Sequence, residues 1–521
     1  MLFNSIVFIM IFLPFSVTVY YFLLRKSNKN LALLSLVLCS LFFYGWWEPK
    51  YLLLIISSVV VNYTVAYFIN ELRGFVTKVK LLLVAGIVFN LSLLGLFKYF
   101  DLIILTINET ASLQFSSWYI VLPLAISFFT FQQIAYLVDA AQGKVKEQGF
   151  LNYILFVTFF PQLIAGPIVH HSEMMPQFIE KSRPEKIWEN ISVGLTIFTI
   201  GLFKKVVLAE QMAYWADKTF AASNMGVEVG MLDAWTGVLC FSFQIYFDFS
   251  GYTDMAMGAA RLFGIKLPLN FLSPYKAKNI IEFWRHWHIT LSRFLRDYLY
   301  IPLGGNKLGT FYRYRNLLIV MLLGGLWHGA GYNFIVWGGL HGLYLIINYA
   351  WRYITNAKID NTGNILKNWG GRILTFFSVT YAWVYFRSDS LESAINMSNG
   401  LLGLNGLVLP MHYADWFGSS LNSLKQIGIE FGATITYGGG MQLVWLVSMF
   451  CFVWLLPNTQ EILRRYQPAI DYHDRKPTTW ISKNLIWTPS IASGLIMSVL
   501  AITLVILIIQ GQPGEFIYFQ F

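Results

Sequence analysis

The stretch from Glu282 to Asn306 reads E-F-W-R-H-W-H-I-T-L-S-R-F-L-R-D-Y-L-Y-I-P-L-G-G-N, and it places charged and imidazole side chains inside a strongly apolar chain. An ionised side chain at the centre of a bilayer costs at least about 2.5–3.5 kcal/mol, so such residues line a cavity or serve a function by default. Further polar groups follow soon afterwards, where L-G-G-L-W-H-G-A contains His328 and G-G-L-H-G contains His341. We expect the activity to reside in these segments.

The composition indicates an integral membrane protein. Of 521 residues, 56% are hydrophobic and only 12% are charged, whereas a soluble domain carries about 25% charged residues. Apolar runs close to the ~20 residues that a membrane-crossing helix needs recur along the chain. They lie at about 5–24, 31–46, 51–71, 80–99, 119–139, 150–169, 190–209, 234–262, 315–349, 371–386, 441–456 and 488–510. The sequence predicts an all-α polytopic membrane protein with roughly 11–14 transmembrane and re-entrant helices.

Charge and cysteine content exclude several other classes. The net charge is +10, but the basic residues lie in short loops and form no basic domain or stripe outside the apolar runs. We therefore expect no nucleic-acid partner. Cys39, Cys240 and Cys451 are widely separated in apolar stretches, which gives neither a disulfide framework nor a metal-ligand spacing. No bound metal is expected.

Loop charges predict the orientation of the early helices. Several short loops carry basic residues, whereas the 100–118 loop contains acidic residues and neither Lys nor Arg. Because cytoplasmic loops are enriched in Lys and Arg, the N-terminus is predicted to be external and the 100–118 loop external too. The 401–440 segment is predicted to be an extramembrane loop, on a side that the charges leave open. The basic residues are Arg25, Lys26, Lys29, Arg73, Lys78, Lys80, Lys144 and Lys146.

The 282–297 segment, read as one helix, presents two polar stripes. A helix with two polar stripes is poorly suited to lipid, so it is predicted to lie inside a ring of helices. The alternative is a basic helix that lies at the membrane interface. One stripe, at i/i+3/i+4/i+7 spacing, contains Arg285, His288, Ser292 and Arg296, and the adjoining stripe contains His286, Thr290, Arg293 and Asp297.

His328 is an imidazole between apolar residues on one side and small residues on the other. In such surroundings it is expected to be neutral and available as a general base; the alternative is a structural histidine hydrogen-bonded across helices. His341 lies about 20 Å further along an ideal helix and ~220° round it, so the two histidines meet only if the glycines at 338–339 reverse the chain. His412 and His473 are expected to be exposed in polar loops, and His170 and His171 are expected at the membrane interface.

Several blocks of this chain resemble the membrane-bound O-acyltransferase family, in its bacterial branch that O-acetylates alginate and related polysaccharides. The resemblance covers nearly the whole length, and the block from 270 to 330 is the most specific. The blocks are L-P-L-A-I-S-F-F-T-F-Q-Q-I-A-Y-L-V-D (122–139), F-P-Q-L-I-A-G-P-I-V (160–169), Y-F-D-F-S-G-Y-T-D-M-A-M-G (246–258), the segment 270–306 that contains the opening stretch, and M-L-L-G-G-L-W-H-G-A (321–330).

The resemblance implies a single membrane domain over 1–521, with a catalytic core at about 120–350. It implies a ring of tilted helices around a central funnel or tunnel. The family's near-invariant histidine corresponds to His328, and its second catalytic position corresponds to His288. Possible supporting or donor-binding residues are Trp284, Arg285, Arg293, Arg296, Asp297 and His341.

The resemblance further implies an O-acetyltransferase of the bacterial inner membrane. It would move acetyl from cytoplasmic acetyl-CoA, a co-substrate, toward an exported polysaccharide such as alginate. The acceptor would be that polysaccharide or a periplasmic SGNH-type acetyltransferase partner. His328 would be either the general base or a transient acyl carrier. The alternative function is a polytopic transporter or flippase, which the absence of a second copy of these motifs disfavours.

Overall fold

The apolar runs fold into helices, and the sequence prediction of an all-α membrane protein is confirmed. The computed structural model describes every residue except 27, 119, 146–148, 165, 181–185, 357–364, 418–420, 427, 437–438, 473–479, 512–513 and 520–521. In that part of the chain the one sheet is a parallel pair of short strands, β1 (Leu407–Pro410) and β2 (Ile429–Gly432).

The helices are α1 (Leu13–Arg25), α2 (Lys29–Gly45), α3 (Tyr51–Glu71), α4 (Val76–Leu94), α5 (Phe100–Ala111), α6 (Ile126–Ala141), α7 (Phe150–Thr158), α8 (Phe160–Leu163), α9 (His171–Glu180), α10 (Ile187–Phe203), α11 (Glu210–Asn224), α12 (Met231–Leu262), α13 (Ile280–His286), α14 (Ile289–Leu295), α15 (Thr310–His328), α16 (Tyr332–Thr355), α17 (Ile365–Arg387), α18 (Leu391–Leu401), α19 (Ala414–Phe417), α20 (Leu421–Gln426), α21 (Gly440–Trp454), α22 (Thr459–Ile462), α23 (Trp480–Asn484) and α24 (Ile491–Gln510). Short π-helical segments interrupt or extend them at Phe8–Phe12, Gly95–Tyr99, Lys204–Ala209 and Arg296–Tyr300.

Five helical stretches among the described residues are long and apolar enough to cross a membrane. The other helices are shorter, contain polar residues or are buried among their neighbours, as expected for the interior of a polytopic protein. The five stretches are Phe8–Arg25, Tyr51–Glu71, Val76–Ala111, Ile187–Asn224 and Ile491–Gln510.

Two segments are broken: the 315–349 run, whose glycines argue against one regular helix, and the 282–297 segment, which the sequence analysis treated as one helix. The 315–349 run is divided into α15 and α16, and the chain reverses at Gly329–Gly331, not at the glycines 338–339. The 282–297 segment is divided into α13 and α14 by His288, whose φ of 42° lies in the left-handed region. The stripes predicted for a single 282–297 helix are therefore wrong, because the break changes the direction of the chain between Arg285 and His288.

Helix α12 lies at the centre of the structure. Its 32 residues extend about 48 Å, which is longer than the ~30 Å hydrocarbon core of a bilayer. It crosses α10 at glycines: a Cβ atom on Gly201 would lie 2.6 Å from the Gly251 carbonyl oxygen, and one on Gly258 would lie 2.6 Å from the Phe198 nitrogen. Small residues at such crossings let two backbones approach closely inside a membrane.

Loop contacts define two ends of the helix bundle. At one end Arg73 donates a hydrogen bond to the carbonyl of Val145 at 3.0 Å. We call this the basic end, because Arg25, Lys26 and Lys144 lie in or beside its loops. At the other, the opposite end, the Tyr51 hydroxyl donates to the carbonyl of Val121 at 2.7 Å. The predicted 100–118 loop is wrong over its first part, because Phe100–Ala111 is helical. The basic loops and the remaining 112–118 segment occupy different ends, as alternating helices require. Which end faces the cytoplasm stays a prediction.

The 401–440 segment is attached to the opposite end. The backbone nitrogen of Met231, at the start of α12, donates to the Gly406 carbonyl at 2.9 Å. The carboxylate of Asp233 accepts hydrogen bonds from the nitrogens of Ile435 and Thr436, both at 2.9 Å. These contacts place 401–440 on the same side as the 112–118 segment, which the sequence charges had left open.

We predict that Gly201→Ala destabilises the protein by about 1–3 kcal/mol, because the added methyl group forces α10 and α12 apart. The measurement is the thermal unfolding midpoint of purified protein in detergent. The matched control is Gly494→Ala in α24, where a Cβ atom meets nothing within 4 Å. Equal stability of the two variants would contradict the glycine-packed crossing.

Candidate active site

His328 is the last residue of α15, and its side chain is 5% exposed. The chain reverses directly after it, because Gly329 is extended and a Cβ atom there would overlap the ring of Phe334. The imidazole is surrounded by aromatic rings, with the Trp337 ring centroid 5.0 Å away. Its Nδ1 atom has no hydrogen-bond partner among the described residues. The sequence prediction of an imidazole in a tight apolar setting matches this position.

His328 lines a cavity of about 260 Å³ that we call the His328 chamber. The chamber lies toward the opposite end, because Trp47 and Leu122 are part of its wall. Aromatic and aliphatic side chains form most of the wall, and its charged side chains among the described residues are Lys98 and Glu515. The wall contains Met1, Leu2, Trp47, Lys98, residues 122–128, Ile164, Trp327, His328, Glu515, Phe516 and Tyr518.

Two side chains from the Gly95–Tyr99 π-helical segment cap the end of α15. The Lys98 ammonium donates to the carbonyls of Trp327 at 2.6 Å and His328 at 3.0 Å. The Tyr99 hydroxyl donates to the carbonyl of Leu326 at 2.8 Å. The last carbonyls of a helix lack partners within the helix, so these bonds satisfy groups that a water-poor site would otherwise leave unpaired.

His288 lies behind His328 and is fully buried. The two ring centroids are 6.5 Å apart, and His288 is not part of the chamber wall. Its Nδ1 atom lies 3.1 Å from the amide oxygen of Asn270. That oxygen also accepts hydrogen bonds from the nitrogen and the hydroxyl of Thr290, at 3.3 and 2.9 Å.

The Asn270 contacts define the tautomer of His288. Because the backbone nitrogen of Thr290 is only a donor, the Asn270 atom that it contacts is the oxygen. His288 Nδ1 therefore carries the proton, which leaves Nε2 with a free lone pair in a neutral ring. No described residue hydrogen-bonds that Nε2 atom. A ring nitrogen with a free lone pair thus belongs to the imidazole whose centroid lies 6.5 Å from that of His328.

His341 is fully buried on α16, and an aromatic ring separates it from His328. The ring centroid of Trp337 lies 5.0 Å from that of His328 and 4.8 Å from that of His341. The ring centroid of Trp284 lies 5.1 Å from that of His341. The reversal at 329–331 brings α16 back along α15 and so brings His341 near the site. Neither His341 nor Trp284 lines the His328 chamber, so their place is in the packing behind it.

A second cavity, of about 240 Å³, lies toward the basic end, and we call it the Asp139 chamber. The Tyr298 hydroxyl donates to Asp139 at 2.8 Å and lies 3.1 Å from Nδ1 of His170. Burial, assisted by the charge of Arg293, lowers the pKa of His170. His170 is therefore part of a polar cavity wall. The sequence context had suggested only a position at the membrane interface. The wall contains Asp139, Gln142, Lys144, His170, His171, Ser172, Asp297 and Tyr298.

The charged residues after His288 follow α14 toward the Asp139 chamber. Arg293 bonds both oxygens of Glu173, at 2.5 and 3.0 Å, and the Arg296 guanidinium bonds its neighbour Asp297 at 2.7 Å. The two arginines therefore hold different carboxylates. Arg285 is exposed on α13, away from the buried His288, so it is not grouped with the histidines as the sequence spacing suggested.

An unbroken series of aromatic rings joins the walls of the two chambers. Trp327 stacks on Phe131 at 5.3 Å, Phe131 on Phe294 at 4.2 Å, and Phe294 contacts Tyr298 at 5.0 Å. Helix α6 contributes Ser127 to the wall of the His328 chamber and Asp139 to the wall of the Asp139 chamber. These two residues are twelve positions apart, which is about 18 Å along the helix. The chambers are thus close, on opposite sides of an aromatic partition.

A family model decides the class of protein to which this site belongs. The model of MBOAT, the membrane-bound O-acyltransferase family, matches residues 5–387 and so includes both histidines and both chambers' helices. This chain belongs to the MBOAT family. The resemblance seen in the sequence is confirmed.

Similar MBOAT relatives are bacterial O-acetyltransferases. A peptidoglycan O-acetyltransferase of Helicobacter pylori is 46% identical over 436 residues, which cover 78% of this chain and 81% of the relative. A probable alginate O-acetylase of Pseudomonas putida is 33% identical over 526 residues, covering all of both chains. One from Pseudomonas aeruginosa is 40% identical over 355 residues, covering 67% of this chain and 66% of the relative.

Sequence reasoning missed three residues of this MBOAT site. Lys98 lies near the end of the apolar run 80–99 and was a detectable signal, since a lysine is rare within such a run. Asn270 gave no periodic signal, because its contact to His288 spans a break in the chain. Tyr518, whose ring lies 5.6 Å from His328, is held near the site because the Ile517 nitrogen donates to Asp248 at 2.8 Å.

Two further observations concern the metal-ligand side chains and the remaining histidines. No group of three or more His, Cys, Asp or Glu side chains able to hold a metal ion occurs among the described residues. His412 is exposed at the opposite end, as expected. His473 lies outside the described residues.

We predict that Asn270→Ala lowers acyl-transfer activity by about 10–100-fold, because His288 loses the acceptor that sets its tautomer and orientation. The measurement is the turnover of purified protein at saturating donor. The matched control is Asn62→Ala, which removes a buried asparagine bonded to Asn90; neither asparagine lines either chamber. Asn62→Ala is expected to lower stability with little effect on turnover per folded molecule. An equal loss of turnover in both variants would show that Asn270 acts only through stability.

Proposed function

We propose that this protein is a membrane O-acetyltransferase that takes acetyl from acetyl-CoA at the basic end and passes it to an exported polysaccharide, directly or through a periplasmic partner enzyme. The observation that carries the proposal is the placement of His328 in one chamber, about 18 Å along α6 from a second chamber at the other end. Such an arrangement suits a reaction whose donor and acceptor lie on different sides of a membrane.

The orientation in this proposal follows from charge. The basic end is cytoplasmic, because its loops are the ones enriched in Lys and Arg. The N-terminal segment and the 401–440 segment are then external, and the protein lies in the bacterial inner membrane. Acetyl-CoA meets the Asp139 chamber from the cytoplasm, where Arg296 is exposed enough to bind phosphate. Both arginines bond a carboxylate, but the Arg296 side chain is 60% exposed and the Arg293 side chain only 21%, so Arg296 is the one proposed to bind phosphate.

His328 performs the chemistry in this proposal. Its free ring nitrogen removes the proton of the acceptor hydroxyl while the hydroxyl oxygen attacks the thioester carbonyl, and the proton then passes to the departing thiolate. The alternative open at this residue is attack by the imidazole itself, which would make His328 a transient acyl carrier. Apolar walls around the chamber restrict water and so limit hydrolysis of the donor.

His288 supports His328 from behind. Its neutral ring, fixed by Asn270, presents a lone pair toward the site and stabilises positive charge that develops on the neighbouring imidazole. Because His288 is outside the chamber wall, its effect is on the reactivity of His328 and not on substrate contact. This division gives the two histidines different expected phenotypes.

The acceptor class is an exported cell-envelope polysaccharide, for which alginate is one example and peptidoglycan another. The relatives' names support both. The partner at the opposite end is proposed to be an SGNH-type acetyltransferase. Membership of an O-acyltransferase family favours acyl transfer over the alternative of a transporter or flippase.

We predict that His328→Ala abolishes acetyl transfer while the protein stays folded and inserted, because the group that moves the proton or carries the acetyl is gone. The measurement is the acetyl content of isolated alginate and peptidoglycan from cells that express the variant, with protein amounts matched. The control is His412→Ala, which removes an exposed histidine at the opposite end and is expected to leave acetylation unchanged. Normal acetylation in His328→Ala cells would overturn the assignment.

We predict that Arg296→Glu raises the KM for acetyl-CoA by about 10-fold or more, since a charge-assisted bond to phosphate is worth about 1.5–3 kcal/mol. The kcat is expected to change little because Arg296 lies away from His328. The measurement is donor-dependent transfer by purified protein in detergent. Lys50→Glu is the control, an exposed charge reversal at the opposite end; if both variants raise the KM equally, the donor does not enter at the basic end.

A further inference from the structure

Lys98 is a cation in the wall of the His328 chamber without a carboxylate partner. None of the ion pairs within 4.0 Å among the described residues includes Lys98, and the acidic side chain of the described wall, Glu515, is not paired with it. The lysine lies inside the membrane-length helical stretch Val76–Ala111. An isolated cation in such a position is costly and is a functional candidate by default.

The hydrogen bonds of Lys98 leave part of its donor capacity unused. An ammonium group has three N–H donors, and two carbonyls, those of Trp327 and His328, accept from it. The negative end of the α15 dipole offsets part of the positive charge. One donor and a net positive charge remain beside the chamber, next to the backbone of the residue that performs the chemistry.

Tyr99 shows that a structural cap does not require this charge. Its neutral hydroxyl caps the carbonyl of Leu326 at 2.8 Å, and it is not part of the chamber wall. The two neighbours therefore share one structural task, but only Lys98 adds a charge and contact with the chamber. Capping alone therefore does not explain why a charged side chain, and not a neutral one, lies at position 98.

We propose that Lys98 is a catalytic residue that stabilises the negative charge on the acyl carbonyl oxygen during transfer. The inference rests on the proposed function. As the acceptor oxygen bonds to the carbonyl carbon, the carbonyl π electrons move to oxygen, which accepts a hydrogen bond from the Lys98 ammonium. When the pair returns, the carbon–sulfur bond breaks, and the thiolate takes the proton that His328 removed from the acceptor. Lys98 stays protonated throughout.

The same ammonium holds the end of α15 in place, so the reacting imidazole and the oxyanion donor are parts of one rigid unit. Preorganised donors in a water-poor site stabilise developing charge far more than solvent does, and losing one costs about 10²–10³ in kcat. The magnitude separates this role from a neutral cap, whose loss is worth about 1 kcal/mol or roughly fivefold.

The test compares Lys98→Gln, Lys98→Met, Lys98→Arg and Tyr99→Phe with the wild type in purified, detergent-solubilised form. Transfer of acetyl from acetyl-CoA is measured as kcat and KM, and the thermal unfolding midpoint is measured in parallel. Glutamine keeps a donor for the α15 carbonyls and removes the charge, so it separates charge from capping even if methionine prevents folding. Arginine keeps the charge with a different shape.

The proposal expects Lys98→Gln to lower kcat by about 100-fold or more, with the donor KM within about threefold and the unfolding midpoint near that of Tyr99→Phe. Lys98→Arg is expected to retain kcat within about tenfold of the wild type, and Tyr99→Phe within about fivefold. A folded Lys98→Gln with kcat close to that of Tyr99→Phe overturns the inference and leaves the proposed function intact. Failure of both neutral variants to fold assigns Lys98 to structure alone and also overturns it. A wild type that transfers no acetyl refutes the proposed function itself, and this inference with it.

Discussion

The capping of α15 inside the protein is the interaction on which the site depends. A helix that ends within the thickness of a membrane leaves carbonyl groups that lipid cannot satisfy. Lys98 and Tyr99 satisfy the carbonyls of Leu326, Trp327 and His328. Because those bonds hold the end of the helix, the chain is able to reverse at Gly329–Gly331 and leave His328 at the wall of a chamber.

The same constraint explains the central scaffold. Helix α12 carries Asp248 and Asp254 in a buried setting, and both are paired, with Lys205 at 2.7 Å and Lys204 at 2.6 Å. A buried charge is tolerated only when its partner is held in good geometry, and the glycine crossing of α10 and α12 supplies that proximity. Asp248 also accepts from the Ile517 nitrogen, so the scaffold brings Tyr518 to the chamber as a consequence of satisfying its own charges.

The sequence predicted the helices and the apolar setting of His328, which its burial matches, because both depend on local composition. The surroundings of His328 depend instead on where helices break. The 282–297 stripes assumed a continuous helix, and a left-handed residue at His288, which no periodicity announces, separated Arg285 from it. The sequence analysis considered a chain reversal only at the glycines 338–339, whereas the chain reverses at Gly329–Gly331. Asn270 and Tyr518 reach the histidines only through tertiary contacts, so no spacing rule finds them.

The aromatic rings between the two chambers form a partition that restricts water. An acyl group transferred from one chamber to the other would have to pass this partition. The rings of the partition, from Trp327, Phe131 and Phe294, present apolar surfaces between the chambers. Moving a charged group between such surfaces is costly because the group loses its hydration, whereas a small neutral acyl group has little hydration to lose. In the proposed function, the large anionic part of a coenzyme thioester stays at the basic end while its acyl end approaches His328. The polar groups of the two chambers differ accordingly: paired carboxylates and arginines lie around the Asp139 chamber, and Lys98, which is in no ion pair among the described residues, lies in the wall of the His328 chamber. The proposal therefore makes His328, on the far side of the partition, the point where acetyl both crosses the membrane and passes from one molecule to another.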